Sequence, residues 1–341
     1  VARTGVFNFP AIRQLPGVKW QTELDDLFMG TPLVADGVLY SGGSDGSLYA
    51  LDAGTGEVLW SAGGFEIIET ATAIAGDVII GGGGNNLVRA LDRRDGHPLW
   101  SFRATTFVFA APLIVGDRIF IATYDKLHAL DLQTGELLWE ADTGDEMAFV
   151  SAPAFAGDTI FVASGPRLLA FDASTGEERW RVESATQFWG LALAPHLVLL
   201  GNSDGYLYAY DQASGRELWK YASRFGGPDD IWSSPAAAGD TVYVGSRDGF
   251  VYALDAATGR ELWEFETSGD SVGDPVVSVD AVYVSDSNHL LPPGPRRLHA
   301  LDAATGQPLW TYEVDSTLLT TPALGPGAIY VTITGAVIAL E

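Results

Sequence analysis

The chain has 341 residues, 47% of them hydrophobic, with 19 Lys and Arg against 44 Asp and Glu and a formal net charge of −25. That charge argues against a surface for nucleic acid or anionic membrane, and no apolar run reaches the roughly 20 residues of a membrane span, so neither nucleic acid nor direct membrane insertion is expected. Cysteine is absent, which removes disulfides, thiolate nucleophiles and cysteine metal sites together.

Taken in chain order, residues 1–16 read as a lead-in whose Arg3, Asn8 and Pro10 do not make a signal-peptide core. Residues 17–24, with Val18-Lys19-Trp20, read as an outer strand. From Gly30 to Trp60 four short strands follow. Thr31-Pro32-Leu33-Val34 is the innermost and Asp36-Gly37 a turn. Val38-Leu39-Tyr40-Ser41 is the second strand and Ser44-Asp45-Gly46 a turn. Leu48-Tyr49-Ala50-Leu51 is the third, and Val58-Leu59-Trp60 lies on the outer one. A phrase then recurs: an apolar residue and Asp, two residues, Thr/Ser/Asp-Gly, three residues, Trp. It begins at Leu51-Asp52, Leu91-Asp92, Leu130-Asp131, Phe171-Asp172, Tyr210-Asp211, Leu254-Asp255 and Leu301-Asp302. Counted from Trp20, successive tryptophans of the series lie 40, 40, 39, 41, 39, 44 and 47 residues apart. The longest insertion includes Asn288-His289-Leu290-Leu291-Pro292-Pro293-Gly294-Pro295, a stiff extended loop. The chain ends Ala339-Leu340-Glu341, the start of the phrase with Glu in the Asp place.

A repeat of about 40 residues spelling four strands is the pattern of a propeller blade. The expected fold is therefore all-β: an eight-bladed β-propeller of four-stranded antiparallel blades, one domain over residues 1–341. Its ring is closed by the N-terminal strand at 17–24 pairing with the C-terminal blade at 318–341, which removes the exposed edges of an open array. The phrase has a mechanical reading. The Asp accepts hydrogen bonds from backbone N–H groups in the turn after it, the Gly leaves room for close packing, and the Trp covers the seam to the next blade with an indole N–H that needs a partner. Trp20, Trp60, Trp100, Trp139, Trp180, Trp219, Trp263 and Trp310 are read as structural docking residues.

This phrase resembles the pyrroloquinoline-quinone-type (PQQ-like) propeller repeat with its tryptophan-docking motif, from Trp20 to Glu341. The resemblance implies the propeller fold and leaves several functions open. It joins quinoprotein dehydrogenases, which hold PQQ and calcium, the non-enzymatic propeller lipoprotein of the outer-membrane barrel-assembly machinery, and sensor domains of bacterial Ser/Thr kinases. A quinoprotein dehydrogenase of this kind would bring a cysteine pair and long inserted loops, which this sequence lacks. Asn85, Asn86 and Asn202 fall in turns on the side where the family binds ligand, with Glu66 and Glu69 on a nearby loop, but they match no contiguous motif. No metal or catalytic role is carried onto them.

Other chemistries find no support in the residues. His97, His128, His196, His289 and His299 show no paired metal spacing. Gly81-Gly82-Gly83-Gly84 lacks the Lys-Ser/Thr and helix of a phosphate loop. Ser151, Ser233 and Ser234 have no nucleophile context. The protein is not expected to be an enzyme, and no cofactor is predicted, PQQ being the runner-up.

Aromatic and acidic residues gather instead on loops between an outer strand and the next inner strand. Phe28, Glu66, Phe107, Phe109, Phe149, Phe188, Trp189, Asp230 and Trp232 are the candidate ligand- or partner-binding residues. Trp189 and Trp232 stand outside the docking series, and loop aromatics of this kind suit contact with peptide, sugar or a cationic group. The alternative is that they plug the channel or pack the inner strands. The expected function is a non-catalytic scaffold or sensor propeller that binds a protein or small-molecule ligand at the loop mouth. The alternative is a PQQ or other small-cofactor binder related to oxidoreductases. Extracytoplasmic or cell-envelope residence is expected, the cytoplasm being the alternative, with an upstream membrane-anchored or kinase domain left open by the resemblance.

Overall fold

The computed structural model describes residues 7–24, 30–65, 72–108, 110–144, 150–225, 227, 231–267, 269, 271–287, 296–314, 316 and 319–341. No helix occurs among them, and the strands sort into eight antiparallel sheets. Blade 1 runs Leu33–Ala35, Val38–Gly42, Leu48–Asp52 and Val58–Ala62, in sequence order across the sheet. Blades 2 (73–103), 3 (113–142), 4 (154–183), 5 (188–222) and 6 (236–266) repeat that order. In blade 7 (271–314) the inner strand is broken into Ser271–Val272 and Val276–Val277, both paired with Ala281–Ser287. Blade 8 is built from both ends of the sequence, in the order Val18–Glu23, Ala336–Leu340, Ala328–Ile333, Ala323–Gly325. Gly17 and Glu341 exchange backbone hydrogen bonds at 2.9 and 3.0 Å, and Leu24 N–H donates to Gly335 O at 2.9 Å. The fold is an eight-bladed β-propeller.

The chain forms two compact units, one built on Trp20–Ala185 with Gly335–Val337 and the other on Thr186–Thr334 with Ile338–Glu341 and the N-terminal segment to Lys19. In each, the apolar core lies between neighbouring sheets. Phe120, Leu127, Ile160 and Phe171 meet between blades 3 and 4, and Leu199, Leu207, Val242 and Tyr252 between blades 5 and 6. This follows from strands whose two faces are both apolar and both covered.

The local geometry explains the repeat. In blade 1, Tyr40, Ala50 and Trp60 stand opposite one another across three strands. The small Ala lets the Trp ring reach the Tyr ring, 6.0 Å between centroids. Phe120–Ala129–Trp139 and Tyr243–Ala253–Trp263 repeat the row, with ring separations of 5.8 Å in each. A bulge follows the Ala in each of blades 1–7, between Ala50 and Leu51 for example, and turns the strand into the phrase. There Asp52 Oδ1 accepts from Gly54 N (2.9 Å) and Thr55 N (2.8 Å), and the same turn recurs at Asp131, Asp172 and Asp302.

The tryptophans then join blade to blade. In six of the seams the indole N–H donates to the carbonyl one residue past the next blade's Asp: Trp20 to Ala53 (3.0 Å), Trp60 to Arg93 (3.1 Å), Trp100 to Leu132 (3.1 Å) and Trp139 to Ala173 (3.3 Å). Trp219 to Ala256 (2.9 Å) and Trp263 to Ala303 (3.0 Å) follow the rule. The ring lies flat on the phrase Gly: a Cβ added at Gly176 would fall 2.5 Å from Trp139 Cε3.

Candidate ligand- or partner-binding site

Of the nine candidate site residues, Phe28, Glu66, Phe109, Phe149 and Asp230 lie outside the described residues, as does Glu69. Phe107 is exposed, edge-on to Tyr124 at 6.3 Å. Its loop is tied down by Asp125, whose Oδ1 accepts from the hydroxyls of Thr105, Thr106 and Thr123, each at 3.0 Å. Burial pushes the Asp125 carboxyl up, but these hydroxyls outweigh it and hold the group below its ordinary value.

Phe188 corrects the sequence reading. It is fully buried, edge-on to Tyr208 and Tyr210 at 6.4 and 6.1 Å, and belongs to the core. Side chains alternate along a strand, so Phe188 and Trp189, adjacent on the strand Phe188–Ala194, cannot share a face. Trp189 is the one that meets the loops. Its Nε1 donates to Ser203 Oγ at 2.7 Å, and its ring stands 5.0 Å from that of Trp232 at 61°. Trp232 remains 45% exposed, with the Arg247 guanidinium over its ring at 4.7 Å.

The backbone fixes this group. Gly190 has φ +50° and sits in a bulge after Trp189, where a Cβ would fall 2.4 Å from Ser234 Cα. A Cβ at Gly201 would fall 2.2 Å from Ile231 O. Only glycines allow the 231–234 segment to lie this close to blade 5. Ser233 Oγ donates to Gly245 O (2.7 Å) and accepts from Gly245 N (3.0 Å), and Ser234 N donates to Asp274 Oδ1 (2.7 Å). The result is a fixed aromatic pair with a cation stacked on it, a surface suited to an apolar or π-rich contact rather than to bond chemistry. Arg247 and Ser203 are the members that sequence reading missed. Both sit in turns between second and third strands, where polar residues look like ordinary turn formers.

Two further groups bear on chemistry. Asp286 Oδ2 meets His299 Nε2 at 3.0 Å, and His299 Nδ1 meets Thr311 Oγ1 at 3.0 Å. This acid–imidazole–hydroxyl row has structural counterparts: Tyr49 OH donates to Asp45 (2.8 Å), Tyr208 OH to Asp204 (2.6 Å) and Tyr252 OH to Asp248 (2.6 Å). The three Tyr–Asp bonds tie the third strand of a blade to its second-to-third-strand connection, and His299–Asp286 ties it to the end of the second strand. The asparagines are likewise engaged. Asn202 is buried and accepts from Thr186 Oγ1 and Asp204 N, and Asn85 Nδ2 donates to Gly64 O while its Oδ1 accepts from Leu87 N. Asn86 Nδ2 donates to Thr105 O while its buried Oδ1 has no hydrogen-bond partner, and no group of three or more His, Asp or Glu among the described residues is placed to hold a metal.

Tryptophan-docked sheets of this kind define a β-propeller of PQQ-type repeats. The family model described as outer membrane protein assembly factor BamB matches residues 17–66, 63–194, 126–231, 203–293 and 284–341, and the chain belongs to that family. Among solved structures it is similar to BamB from Moraxella catarrhalis (21% identity, 96% of this chain and 98% of that one, TM-score 0.76). It is also similar to quinohemoprotein alcohol dehydrogenase from Comamonas testosteroni (15% identity, 99% of this chain and 78% of that one, TM-score 0.81). At these identities the likeness is one of fold. Lupanine 17-hydroxylase [cytochrome c] of a Pseudomonas species is 49% identical over 47 residues, which are 13% of this chain and 7% of that enzyme.

Proposed function

We propose that the whole chain acts as one non-catalytic propeller domain of the cell envelope, a scaffold that binds a protein partner through loop aromatics. The observation that carries this reading is the exposed Trp232 indole, held by Trp189 on one side and Arg247 on the other. A large aromatic fixed before contact loses little conformational freedom on binding and makes an effective anchor. The family's description as an outer-membrane protein assembly factor supports both the envelope and the scaffold. The test is binding to purified outer-membrane assembly subunits by biolayer interferometry. Trp232→Ala should weaken it at least tenfold, as for an interface anchor worth more than about 1.4 kcal/mol. Unchanged affinity would remove this surface from the interface.

The second reading, a quinone-binding protein related to oxidoreductases, is favoured by the short match to lupanine 17-hydroxylase and by the dehydrogenase fold likeness. Titration with PQQ, with and without calcium, followed by absorbance separates the two. Saturable binding at one site overturns the scaffold reading, and its absence supports it.

A further inference from the structure

Three blade seams share an aromatic contact that the repeat phrase does not encode. Phe102 stands edge-on to His128 at 5.4 Å and 63°, Tyr221 to Tyr252 at 5.4 Å and 61°, and Phe265 to His299 at 5.7 Å and 63°. In each case the first ring lies two residues past the docking Trp of one blade, and the second lies just before the Ala of the next blade's third strand. These rings fill the groove beside the docked indole.

At the seam of blades 1 and 2 the same two positions hold Ala62 and Arg89. Ala62 pairs with Leu48 as Phe102 pairs with Val88, so the equivalence is one of register as well as of sequence. Without a ring at position 62 the groove stays open. It is a shallow groove of about 390 Å³, largely open to solvent and as polar as it is apolar, lined by Ser61, Ala62, Arg89, Leu91, Asp95 and His97, with Gly63 and Gly96 at its margins. The Arg89 guanidinium packs over the buried Phe65 ring at 5.5 Å, against Gly64, and its Nη1 donates to Gly63 O at 3.1 Å. Its Nε is buried and has no acceptor, and no carboxylate among the described residues lies within ion-pair distance of it. Asp95, the carboxylate in the lining, accepts from His97 N at 2.9 Å.

A guanidinium that no carboxylate among the described residues neutralises, standing beside such a groove, favours a planar acid, because two N–H donors of one guanidinium match the two oxygens of a carboxylate. The groove itself is shaped at three other seams to an aromatic ring. We infer that the blade 1–2 groove is a binding site for a small aromatic carboxylate, its ring placed beside Arg89 as Phe102 is placed beside His128, and its acid group on the Arg89 guanidinium. This site is separate from the Trp189–Trp232 surface and does not rest on it.

The probe is 3-phenylpropionate, titrated into the full chain by saturation-transfer NMR and calorimetry, with 3-phenylpropanol and 3-cyclohexylpropionate as controls lacking the acid and the aromatic ring. Saturable one-site binding, weaker for both controls, is expected. Arg89→Gln should weaken the acid about tenfold, the worth of one charge-assisted hydrogen bond, and leave the alcohol unchanged. Ala62→Phe, which installs the ring found at those three seams, should abolish binding while the protein still melts cooperatively. If Ala62→Phe does not fold, the Arg89→Gln contrast between acid and alcohol decides alone. Absence of saturable binding to the native chain, or acid binding that Arg89→Gln leaves intact, overturns the site.

Discussion

The Trp310 indole donates to the carbonyl oxygen of Ile12 at 2.6 Å. For Trp20, Trp60, Trp100, Trp139, Trp219 and Trp263 the acceptor is the residue after the next blade's phrase Asp, such as Ala53 after Asp52 or Ala303 after Asp302. In blade 8 Glu341 holds the Asp place, and the lead-in supplies the acceptor instead. The same peptide segment is held a second time, for Ile12 N–H donates to the hydroxyl of Tyr283, whose ring is tilted against Trp310 at 5.9 Å. Phe7 N to Val277 O (2.7 Å), Val279 N to Phe9 O (3.2 Å) and Ala11 N to Asp280 Oδ1 (3.0 Å) run the strap along blade 7.

Deleting residues 1–13 should therefore lower stability by about 5 kcal/mol, taking about 1 kcal/mol net for each of the five hydrogen bonds lost. Arg13→Ala should leave stability nearly unchanged, because its pair with Asp280 is solvent-exposed. Urea unfolding of both variants checks this, and a truncated chain with an unchanged midpoint would show the strap to be ornamental.

The docking glycines make a sharper contrast. Gly135 and Gly116 both have left-handed φ, +72° and +61°, so alanine strains the backbone at either. At Gly135 the added Cβ also falls 2.5 Å from Trp100 Cε3, whereas at Gly116 nothing lies within 4 Å. Gly135→Ala should be the more destabilising by about 1–3 kcal/mol, the overpacking cost. Equal midpoints in urea would mean that the indole does not need the glycine.

What could be read from the sequence was whatever repeats within one unit of chain. Leu51-Asp52…Thr55-Gly56…Trp60 states its own turn, its bulge and its partner strand, because all are local. The strap at Ile12 was not legible, since the segment carries no copy of the phrase and acts only as a backbone carbonyl. Nor were the Phe102–His128 and Phe265–His299 contacts, which join residues of two repeats whose spacing is ordinary. Phe188 was misread because burial at a strand end depends on which face meets Tyr208 and Tyr210. The Trp189–Trp232 pair was visible as two tryptophans outside the series, but its cation, Arg247, was not.

The phrase aspartates fix the acid response. Ser174, Arg179 and the backbone N–H groups of the turn hold the Asp172 carboxyl far below the carboxylate range, Arg94 holds Asp92 at about 2, and Thr134 lowers Asp131. A carboxylate whose folded pKa is depressed contributes stability above its unfolded value of about 4, and loses that contribution as pH falls toward the folded value. At high ionic strength, which screens the self-repulsion of a chain of net charge −25, the thermal midpoint should hold from neutral pH to about 4 and fall between about 4 and 2. Asp172→Asn should start lower and show a shallower fall. A midpoint that is flat down to pH 2 would remove the phrase aspartates from the acid response.

The tryptophans divide between holding and touching, and the division is measurable. Trp139 contacts Phe120, donates to Ala173 O and lies on Gly176, so replacing it with alanine leaves a cavity and a loosened seam, with Ala173 O keeping only its bond from Arg118. The cost should be about 3–5 kcal/mol, as for a packed aromatic. Trp189→Ala loses one hydrogen bond and an edge contact with Trp232, and should cost about 1–2 kcal/mol. Trp232→Ala, at an exposed ring, should cost under about 1 kcal/mol. In partner binding the order should reverse, with Trp232→Ala the most damaging, Trp189→Ala intermediate through the lost support, and Trp139→Ala nearly silent at temperatures where it stays folded. Parallel losses of stability and affinity across the three would mean that the exposed indole has no role apart from the framework.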